Sequence, residues 1–224
     1  MRIRGLIFDF DGLILETEGP IYQSWQEIYQ SFGFHLELET WATIIGTTST
    51  HFDPLDELES RLGRHLENRQ ALTERQLARE GELISNQPIR PGVKEYLQDA
   101  RRIGLKTGLA SSSSCKWVTG HLKRLGLAGY FDCIRGSDDV PQVKPDPDLY
   151  LAVLAELDLQ PEEAIAFEDS PNGILAAKKA GLFCVAIPNG LTSRLLLDHA
   201  DLRLNSLDEV PLKDLLLKLI TDLP

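Results

Sequence analysis

Two aspartates lie two positions apart, directly after an apolar run near the start of the chain. The segment reads LIFDFDGL over residues 6–13, in which Asp9 and Asp11 supply the carboxylates and Gly12 follows them. A buried strand of a parallel sheet that ends in polar side chains commonly carries a site for chemistry. Two carboxylates this close repel each other unless a cation or a shared proton relieves them. The motif therefore predicts an acidic site that includes a cation.

Chemically complementary side chains follow three later apolar runs. They are Ser111 at the start of a run of four serines, Lys144 in VKPDP, and Glu168 and Asp169 in FEDS. Each alone has a simpler interpretation, as a turn, a helix cap or a solvated lysine. Their order along the chain, each at or near a predicted strand end, favours one shared crevice. The sequence thus predicts that a hydroxyl, an ammonium group and a second carboxylate pair join the first.

From residue 91 onward, apolar spacing alternates between the period of strands and the period of helices. We predict strands over residues 105–110, 132–135, 164–167 and 183–187, separated by helices. Alternation of this kind implies right-handed βαβ units and a parallel sheet covered on both faces. The predicted fold class is therefore α/β, with a doubly wound parallel sheet that begins at the strand before Asp9.

Residues 17–86 interrupt this alternation with helical patterns alone. Apolar residues recur at helical spacing over residues 21–32, and Asp53 followed by proline is typical of a helix start. We predict a catalytic core of residues 1–16 and 87–224 and an α-helical cap domain over residues 17–86. A helical insertion beside a catalytic strand end is positioned to act as a lid.

The composition limits the classes of ligand. With 34 acidic and 23 basic residues, the formal net charge of −11 argues against nucleic acid, which selects basic surfaces. The three cysteines show no paired spacing and are typical of a reducing cytosol. No apolar run approaches the ~20 residues of a membrane-spanning helix. We expect a cytoplasmic monomer that has neither nucleic acid nor a membrane as a partner.

The segments DFDGLILETE, LASSSS, VKPDPDLYL, FEDSPNG and AIPNG occur in this order over most of the chain. On these motifs the chain resembles the haloacid-dehalogenase superfamily of phosphoryl-transfer enzymes, in the branch with a helical cap after the first strand. It is particularly similar to β-phosphoglucomutase-like and pseudouridine-phosphatase-like enzymes. The resemblance implies a Rossmann-like core with an α-helical bundle as the cap, and a small phosphorylated metabolite as the substrate.

The resemblance also implies roles for the acidic residues. Asp9 would attack phosphorus and form an aspartyl-phosphate, while Asp11 would act as the general acid and then as the general base. The Asp9 carboxylate, the Asp11 backbone carbonyl and Asp169 would hold Mg²⁺, with Glu168 close by or behind them.

Further residues would bind the substrate. The resemblance places the phosphoryl oxygens against Ser111, the backbone amide of Ser112 and Lys144, and Gly12 would allow a close backbone approach. The candidates for recognising the rest of the substrate, at the hinge and in the cap, are Thr17, Glu18, Thr47, Thr48 and His51. The segment from Thr47 to His51 has an equally simple interpretation as a link between two helices.

These features favour a Mg²⁺-dependent phosphatase of small phosphorylated metabolites, with sugar or polyol phosphates expected. Dehalogenation would need neither Asp11 nor the second acidic pair. A β-phosphoglucomutase-type phosphomutase is the main alternative. The cap positions that grip a second phosphate in that family hold Ile21 and Ser49 here, and Arg61 is the first arginine of the cap. A non-catalytic phospho-acceptor module is less favoured, because such a module lacks the inserted cap.

Overall fold

A computed structural model describes residues 3–42 and 52–222 of the chain. The strands are β1 Gly5–Phe8, β2 Lys106–Ala110, β3 Cys133–Arg135, β4 Ala164–Glu168, β5 Phe183–Ala186 and β6 Leu202–Arg203. The helices are α1 Glu18–Ser31, α2 Leu38–Ala42, α3 Pro54–Leu62, α4 Arg69–Ser85, α5 Val93–Ile103, α6 Cys115–Arg124, α7 Asp148–Glu156, α8 Pro171–Lys179 and α9 Leu212–Asp222. Within the described residues, no helix combines the length and the apolar character that crossing a bilayer requires.

The six strands found in the described residues form one sheet in the order β3-β2-β1-β4-β5-β6, and every neighbouring pair is parallel. The chain builds outward from β1 in one direction and then returns to build outward in the other. The strand order therefore reverses between β1 and β4, which is where a crevice opens at the carboxyl ends of parallel strands. The predicted α/β fold with a doubly wound parallel sheet is confirmed.

Successive side chains of the strands point to opposite faces of the sheet, and both faces are buried. On one face, Leu6, Phe8 and Phe167 join the apolar core that includes residues of α5, α6 and α9. On the other face, Ile7 joins small residues of β4 and β5 and the helices α7 and α8. A side chain at Gly108 would overlap Val153 of α7, so this face depends on close helix–sheet contact.

Helices α1 to α4 lie between β1 and β2 in sequence and pack around an apolar cluster of their own. The buried members of this cluster are Ile28, Tyr29, Leu36, Trp41, Leu55, Leu58 and Leu66. Inside the bundle, Gln76 of α4 donates a buried hydrogen bond of 2.8 Å to Ser24 of α1. The Asp53 side chain accepts from the first amides of α3, as its sequence position predicts. We call helices α1 to α4 with their connections the helical insertion.

The two connections between the helical insertion and the rest of the chain run side by side. Leu15 forms β-bridges with Asp11 and with Ile89, so the outgoing chain lies next to the returning one. Arg124 of α6 donates 3.0 Å from its Nη1 to the carbonyl of Ser85, the last residue of α4. The two chain connections of the insertion therefore lie together, next to the loop that follows β1.

Two elements near the end of the chain were not predicted from the sequence. β6 has only two residues, which is too short for a periodic pattern, and α9 covers the sheet face that also packs against α5. Glu168 is the last residue of β4 rather than the first residue after it. This difference places its side chain inside the sheet's buried layer instead of in a loop.

Leu58→Ala should lower the free energy of unfolding by about 2–5 kcal/mol, because the side chain is fully buried in the cluster of the helical insertion. Leu77→Ala is the matched control, since Leu77 of α4 is 56% exposed and its loss should cost far less. Urea unfolding followed by tryptophan fluorescence would measure both variants. Equal losses for the two leucines would show that the cluster does not stabilise the insertion.

Candidate active site

The carboxyl ends of β1, β2 and β4 bring side chains from distant parts of the chain together. Asp9 follows β1, Ser111 follows β2, and Asp169 follows β4, and all three are buried. Lys144 reaches the same place from the loop after β3 and is only 3% exposed. The structure thus assembles the sequence-predicted candidates at one edge of the sheet.

The Lys144 ammonium group is fully engaged by the site. Its Nζ donates to Asp9 Oδ1, to Glu168 Oε1 at 2.6 Å and to the backbone carbonyl of Ala110 at 2.8 Å. An ammonium group has three protons, and these three acceptors use all of them. Lys144 is therefore a fixed positive charge between two carboxylates, not a solvated surface lysine.

Glu168 is surrounded by protein donors on both oxygens. Its Oε1 also accepts the Tyr150 hydroxyl at 2.6 Å, and its Oε2 accepts the Asp169 amide at 3.1 Å and Ser170 Oγ at 3.4 Å. A side chain at Gly173 would overlap the Glu168 carboxyl group, so α8 can begin here only with a glycine at this position. These contacts favour a role for Glu168 behind the other carboxylates, as an anchor for Lys144 and for the Asp169 backbone.

Burial dominates the electrostatics of this cluster. Burial raises the pKa of Asp9 well above its usual range, and the ammonium group of Lys144 opposes this rise. Burial also raises the pKa of Asp169, and the charges of Asp9 and Glu168 add to the effect. Burial alone would lower the pKa of Lys144, but the two carboxylates outweigh it and raise that pKa. The cluster thus places three buried carboxyl groups beside one ammonium group, and a further positive charge next to them would favour their ionised forms.

The donor atoms of the cluster fit a hard divalent cation. One carboxylate oxygen from each of Asp9, Glu168 and Asp169 lies within 4.8 Å of the others, and all three residues are buried. Three carboxylates face one lysine, so a cation of charge two would balance the group and use the oxygen ligands that Mg²⁺ prefers. The Asp11 carboxylate is not a member of this group, which agrees with a ligand role limited to its backbone carbonyl.

The Asp11 carboxylate is held on the other side of the site by three donors. Ser113 Oγ donates at 2.7 Å and Ser111 Oγ at 3.2 Å to its Oδ2, and Trp117 Nε1 donates at 3.1 Å to its Oδ1. The Ser113 amide also donates 3.0 Å to Ser111 Oγ, so the serine run forms a tight turn. The Ser112 Oγ is buried and has no hydrogen-bond partner in the described part of the chain.

Gly12 is required by close packing as well as by its backbone angles. It has a φ of 79°, and a side chain there would overlap Asp169 Oδ2 and would lie 2.7 Å from Asn189 Nδ2. The guanidinium group of Arg90 donates to the carbonyls of Gly12 and, at 2.8 Å, of Pro188. Arg90 therefore connects the loop after β1 with the loop after β5.

A family model for haloacid dehalogenase-like hydrolases matches residues 6–187 of the chain. The chain belongs to this family. Its match spans β1 to β5, and so includes the aspartate pair, the serine run, Lys144 and the second acidic pair. The resemblance inferred from the motifs is thereby confirmed.

Individual family members extend over most of the chain. The chain is 47% identical to the candidate phosphatase YhcW of Bacillus subtilis over 214 residues, which cover 96% of both chains. It is 35% identical to hexitol phosphatase B of Escherichia coli over 66% of this chain and 68% of that one. The solved structure of β-phosphoglucomutase from Clostridium difficile superposes with a TM-score of 0.75 at 25% identity and covers 98% of both chains. The chain is a phosphatase of the haloacid dehalogenase-like family.

Of the candidates at the hinge and in the cap, the structure describes only Thr17 and Glu18. Thr17 is fully buried, and its Oγ1 has no partner among the described residues. Glu18 is the first residue of α1, and burial, with Asp11 and Glu16 nearby, raises its pKa to about 8. Thr47, Thr48 and His51 lie outside the described residues, and so does Ser49.

Five residues of the site were not among the sequence-based candidates: Ser113, Trp117, Tyr150, Arg90 and Asn189. Ser113 lies in the run of four serines that begins at Ser111, so its position in that run could have indicated a place in the site. The other four touch the site from separate loops or helices. Tyr150 and Asn189 lie in the motifs VKPDPDLYL and AIPNG, whereas nothing in the sequence around Trp117 or Arg90 indicates their contact with the site.

Lys144→Met should lower the free energy of unfolding at pH 7 by about 3–5 kcal/mol, because it leaves buried carboxylates without their partner. Lys179→Met is the control, since its ion pair with Asp146 spans 3.6 Å near the surface and should contribute less than about 1 kcal/mol. Urea unfolding of the metal-free proteins would compare them. A loss of the same small size in both variants would contradict the proposed charge balance.

Proposed function

We propose that this protein hydrolyses small phosphorylated metabolites, with Mg²⁺ as its cofactor, through an aspartyl-phosphate on Asp9. The observation that carries this proposal is the placement of Asp9 between a buried lysine and a buried carboxylate group. Asp11 stands apart from that group, held by its own donors. This division gives one aspartate the surroundings of a nucleophile and the other those of an acid and base.

In the first step, an Asp9 oxygen forms a bond to phosphorus while the bond from phosphorus to the ester oxygen breaks. Asp11 gives its proton to that leaving oxygen, which departs as an alcohol. In the second step, Asp11 takes a proton from water, and the oxygen of that water bonds to phosphorus. The bond to Asp9 then breaks, and inorganic phosphate leaves. Asp9 and Asp11 return to their initial states.

The cofactor would be held by the Asp9 carboxylate, the Asp11 backbone carbonyl and Asp169, and it would supply positive charge to the phosphoryl oxygens. Ser111 and the Ser112 amide would contact the same oxygens from the other side, and Lys144 would place its positive charge beside them. Glu168 keeps Lys144 in place through its 2.6 Å hydrogen bond. Because these donors are buried and fixed, they need little rearrangement as charge spreads over the oxygens in the transition state.

We further propose that residues 17–86 act as the cap domain over a core of residues 1–16 and 87–224, and that the cap selects a sugar or polyol phosphate. The support is the position of Glu18 at the junction and the relation to hexitol phosphatase B. With a pKa of about 8, Glu18 is protonated at neutral pH. A neutral carboxyl group can bind a substrate hydroxyl without repelling the phosphate. Thr17, Thr47, Thr48 and His51 remain candidates for the same role.

A β-phosphoglucomutase-type reaction is the alternative, because the chain shares the fold of that enzyme at 25% identity. The described cap residues support hydrolysis instead. Arg61 donates 2.9 Å to Glu57 and also bonds the His35 carbonyl, so it is committed to packing within the insertion. Ile21 packs among apolar side chains. Neither provides the grip on a second phosphate that a mutase needs to retain a bisphosphate.

For its setting in the cell, we propose a cytoplasmic monomer whose only partner is the metabolite. The support is the acidic net charge of −11, which disfavours nucleic acid, and three cysteines that are free in the structure. Size-exclusion chromatography with light scattering would give the oligomeric state.

Asp9→Asn should abolish phosphate release, because an amide is a poor nucleophile for phosphorus. Asp11→Asn should slow both steps, because an amide can neither donate nor accept the required proton. Asp146→Asn, at a partly exposed carboxylate outside the cluster, is the control and should keep wild-type activity. Free phosphate would be measured over a panel of sugar and polyol phosphates with Mg²⁺ and with EDTA.

Two results of that experiment would contradict the proposal. Substantial turnover by Asp9→Asn would exclude the covalent mechanism, and full activity in EDTA would exclude the cofactor. A parallel assay of glucose 1-phosphate primed with a bisphosphate would test the mutase. Isomerisation faster than hydrolysis would favour that alternative.

Glu18→Gln should remove a pH dependence of stability. Because the folded-state pKa of Glu18 is about 8 and its ordinary value is 4.5, the folded protein binds more protons than the unfolded chain between these values. The free energy of unfolding therefore falls with rising pH in that window through this group, which adds no further pH dependence below or above the window. Urea unfolding of metal-free wild type and Glu18→Gln from pH 4 to 9 would show the variant become progressively more stable relative to wild type across the window. A constant difference would contradict the assignment.

A further inference from the structure

The side chain of Asn189 makes contacts on both ends of its amide and is 5% exposed. Its Oδ1 accepts the backbone amides of Leu191 and Thr192, each at 2.9 Å. Its Nδ2 donates to Asp169 Oδ2 at 2.8 Å. A flipped amide would set NH₂ against two backbone N–H groups and an oxygen against a carboxylate. The orientation of Asn189 is therefore fixed by its partners.

The Asp169 carboxylate is confined by the same contact. Its Oδ2 lies between Asn189 Nδ2 and the backbone of Gly12, where a side chain would overlap it. Fixing one oxygen of a carboxylate also fixes the direction of the other oxygen. Asp169 is one of the three buried residues whose carboxylate oxygens lie within 4.8 Å of one another. The orientation of its side chain therefore decides which of its two oxygens is available to a cation.

The loop that begins at Asn189 reaches the helical insertion. The backbone N–H of Asn189 donates to Thr192 Oγ1 at 2.9 Å, and its backbone carbonyl accepts from the backbone N–H of Ser193 at 3.0 Å. Leu191 and Leu195 of this loop pack against the apolar cluster of the insertion. One side chain thus holds the carboxylate of Asp169 and the start of the loop that contacts α1 to α4.

We infer that Asn189 is a positioning residue for the metal site: its amide fixes Asp169 with Oδ2 toward the protein and Oδ1 toward the cation. This inference rests on the proposed cation-dependent function. Hydrogen bonds to the ligand oxygens from outside a metal site commonly control its affinity, and their loss costs about 10–100-fold. The side-chain amide of Asn189 also connects Asp169 to the loop that contacts the helical insertion, because its Oδ1 accepts from the backbone of that loop.

Two substitutions separate the ligand contact from the loop contact. Asn189→Ser keeps a short acceptor for the amides of the turn but is too short to donate to Asp169. Thr192→Val removes the hydroxyl that accepts from the backbone N–H of Asn189, but it leaves the hydrogen bond from the Asn189 side chain to Asp169 intact. Both substitutions affect the loop, whereas only the first affects the carboxylate.

Binding of Mn²⁺ to the substrate-free proteins, followed by electron paramagnetic resonance, is the test. Asn189→Ser should weaken Mn²⁺ binding about 10–100-fold, and Thr192→Val should stay close to wild type. Asn205→Ser, at an exposed asparagine, is the matched control. Urea unfolding would verify that the first two variants lose similar stability. In steady-state assays, the Mg²⁺ concentration for half-activation should rise for Asn189→Ser while the substrate KM changes little.

Two outcomes would overturn the inference. Wild-type Mn²⁺ affinity in Asn189→Ser would show that the amide does not position the ligand. Equal weakening in Thr192→Val would assign the effect to the loop instead. Failure of the wild-type protein itself to bind Mn²⁺ would count against the proposed cofactor and is distinguishable from both.

Discussion

The shared ammonium group of Lys144 is the interaction on which the rest of the site depends. Three buried carboxylates would repel each other strongly, and Lys144 offsets part of that charge by contacting two of them. The remaining negative charge calls for a further cation. Under the proposed function, the charge that Lys144 offsets only in part would also attract the metal, which accounts for a cluster of charged groups in an otherwise apolar sheet.

Glycine and small residues make room for this cluster. Gly12 and Gly173 each lie where a Cβ atom would collide with a carboxylate of the site, the first against Asp169 and the second against Glu168. On the sheet face that carries α7 and α8, alanines of β4 and β5 let the helices approach closely. The charged cluster is consequently surrounded by backbone and by short side chains, which fix its geometry and leave few rotamers to adjust.

The sequence was informative about residues whose neighbours along the chain reveal their setting. Asp9, Ser111 and Asp169 follow apolar runs, and the parallel-sheet rule places such strand ends side by side. Trp117 and Tyr150 could not be predicted in this way, because each lies in a helix and meets the site across a contact between separate elements. Asn189 closely follows β5 and lies in the motif AIPNG, but only the structure shows that its side chain contacts Asp169. Glu168 shows the limit of boundary prediction, since a one-residue extension of β4 changed it from a loop residue to a buried anchor. The short β6 lacked a period to detect, and Thr47 to His51 lie outside the described residues.

The side-by-side linkers have a consequence for how such proteins can diversify. Because Leu15 bridges to Ile89, the chain leaves the sheet and comes back at almost the same point. A segment attached in this way can be lengthened, shortened or exchanged as a cassette without changing the register of any strand. If the insertion selects the substrate, as proposed above, selection could act on substrate choice there while the buried charges stay as they are. Recognition and cleavage would then evolve separately.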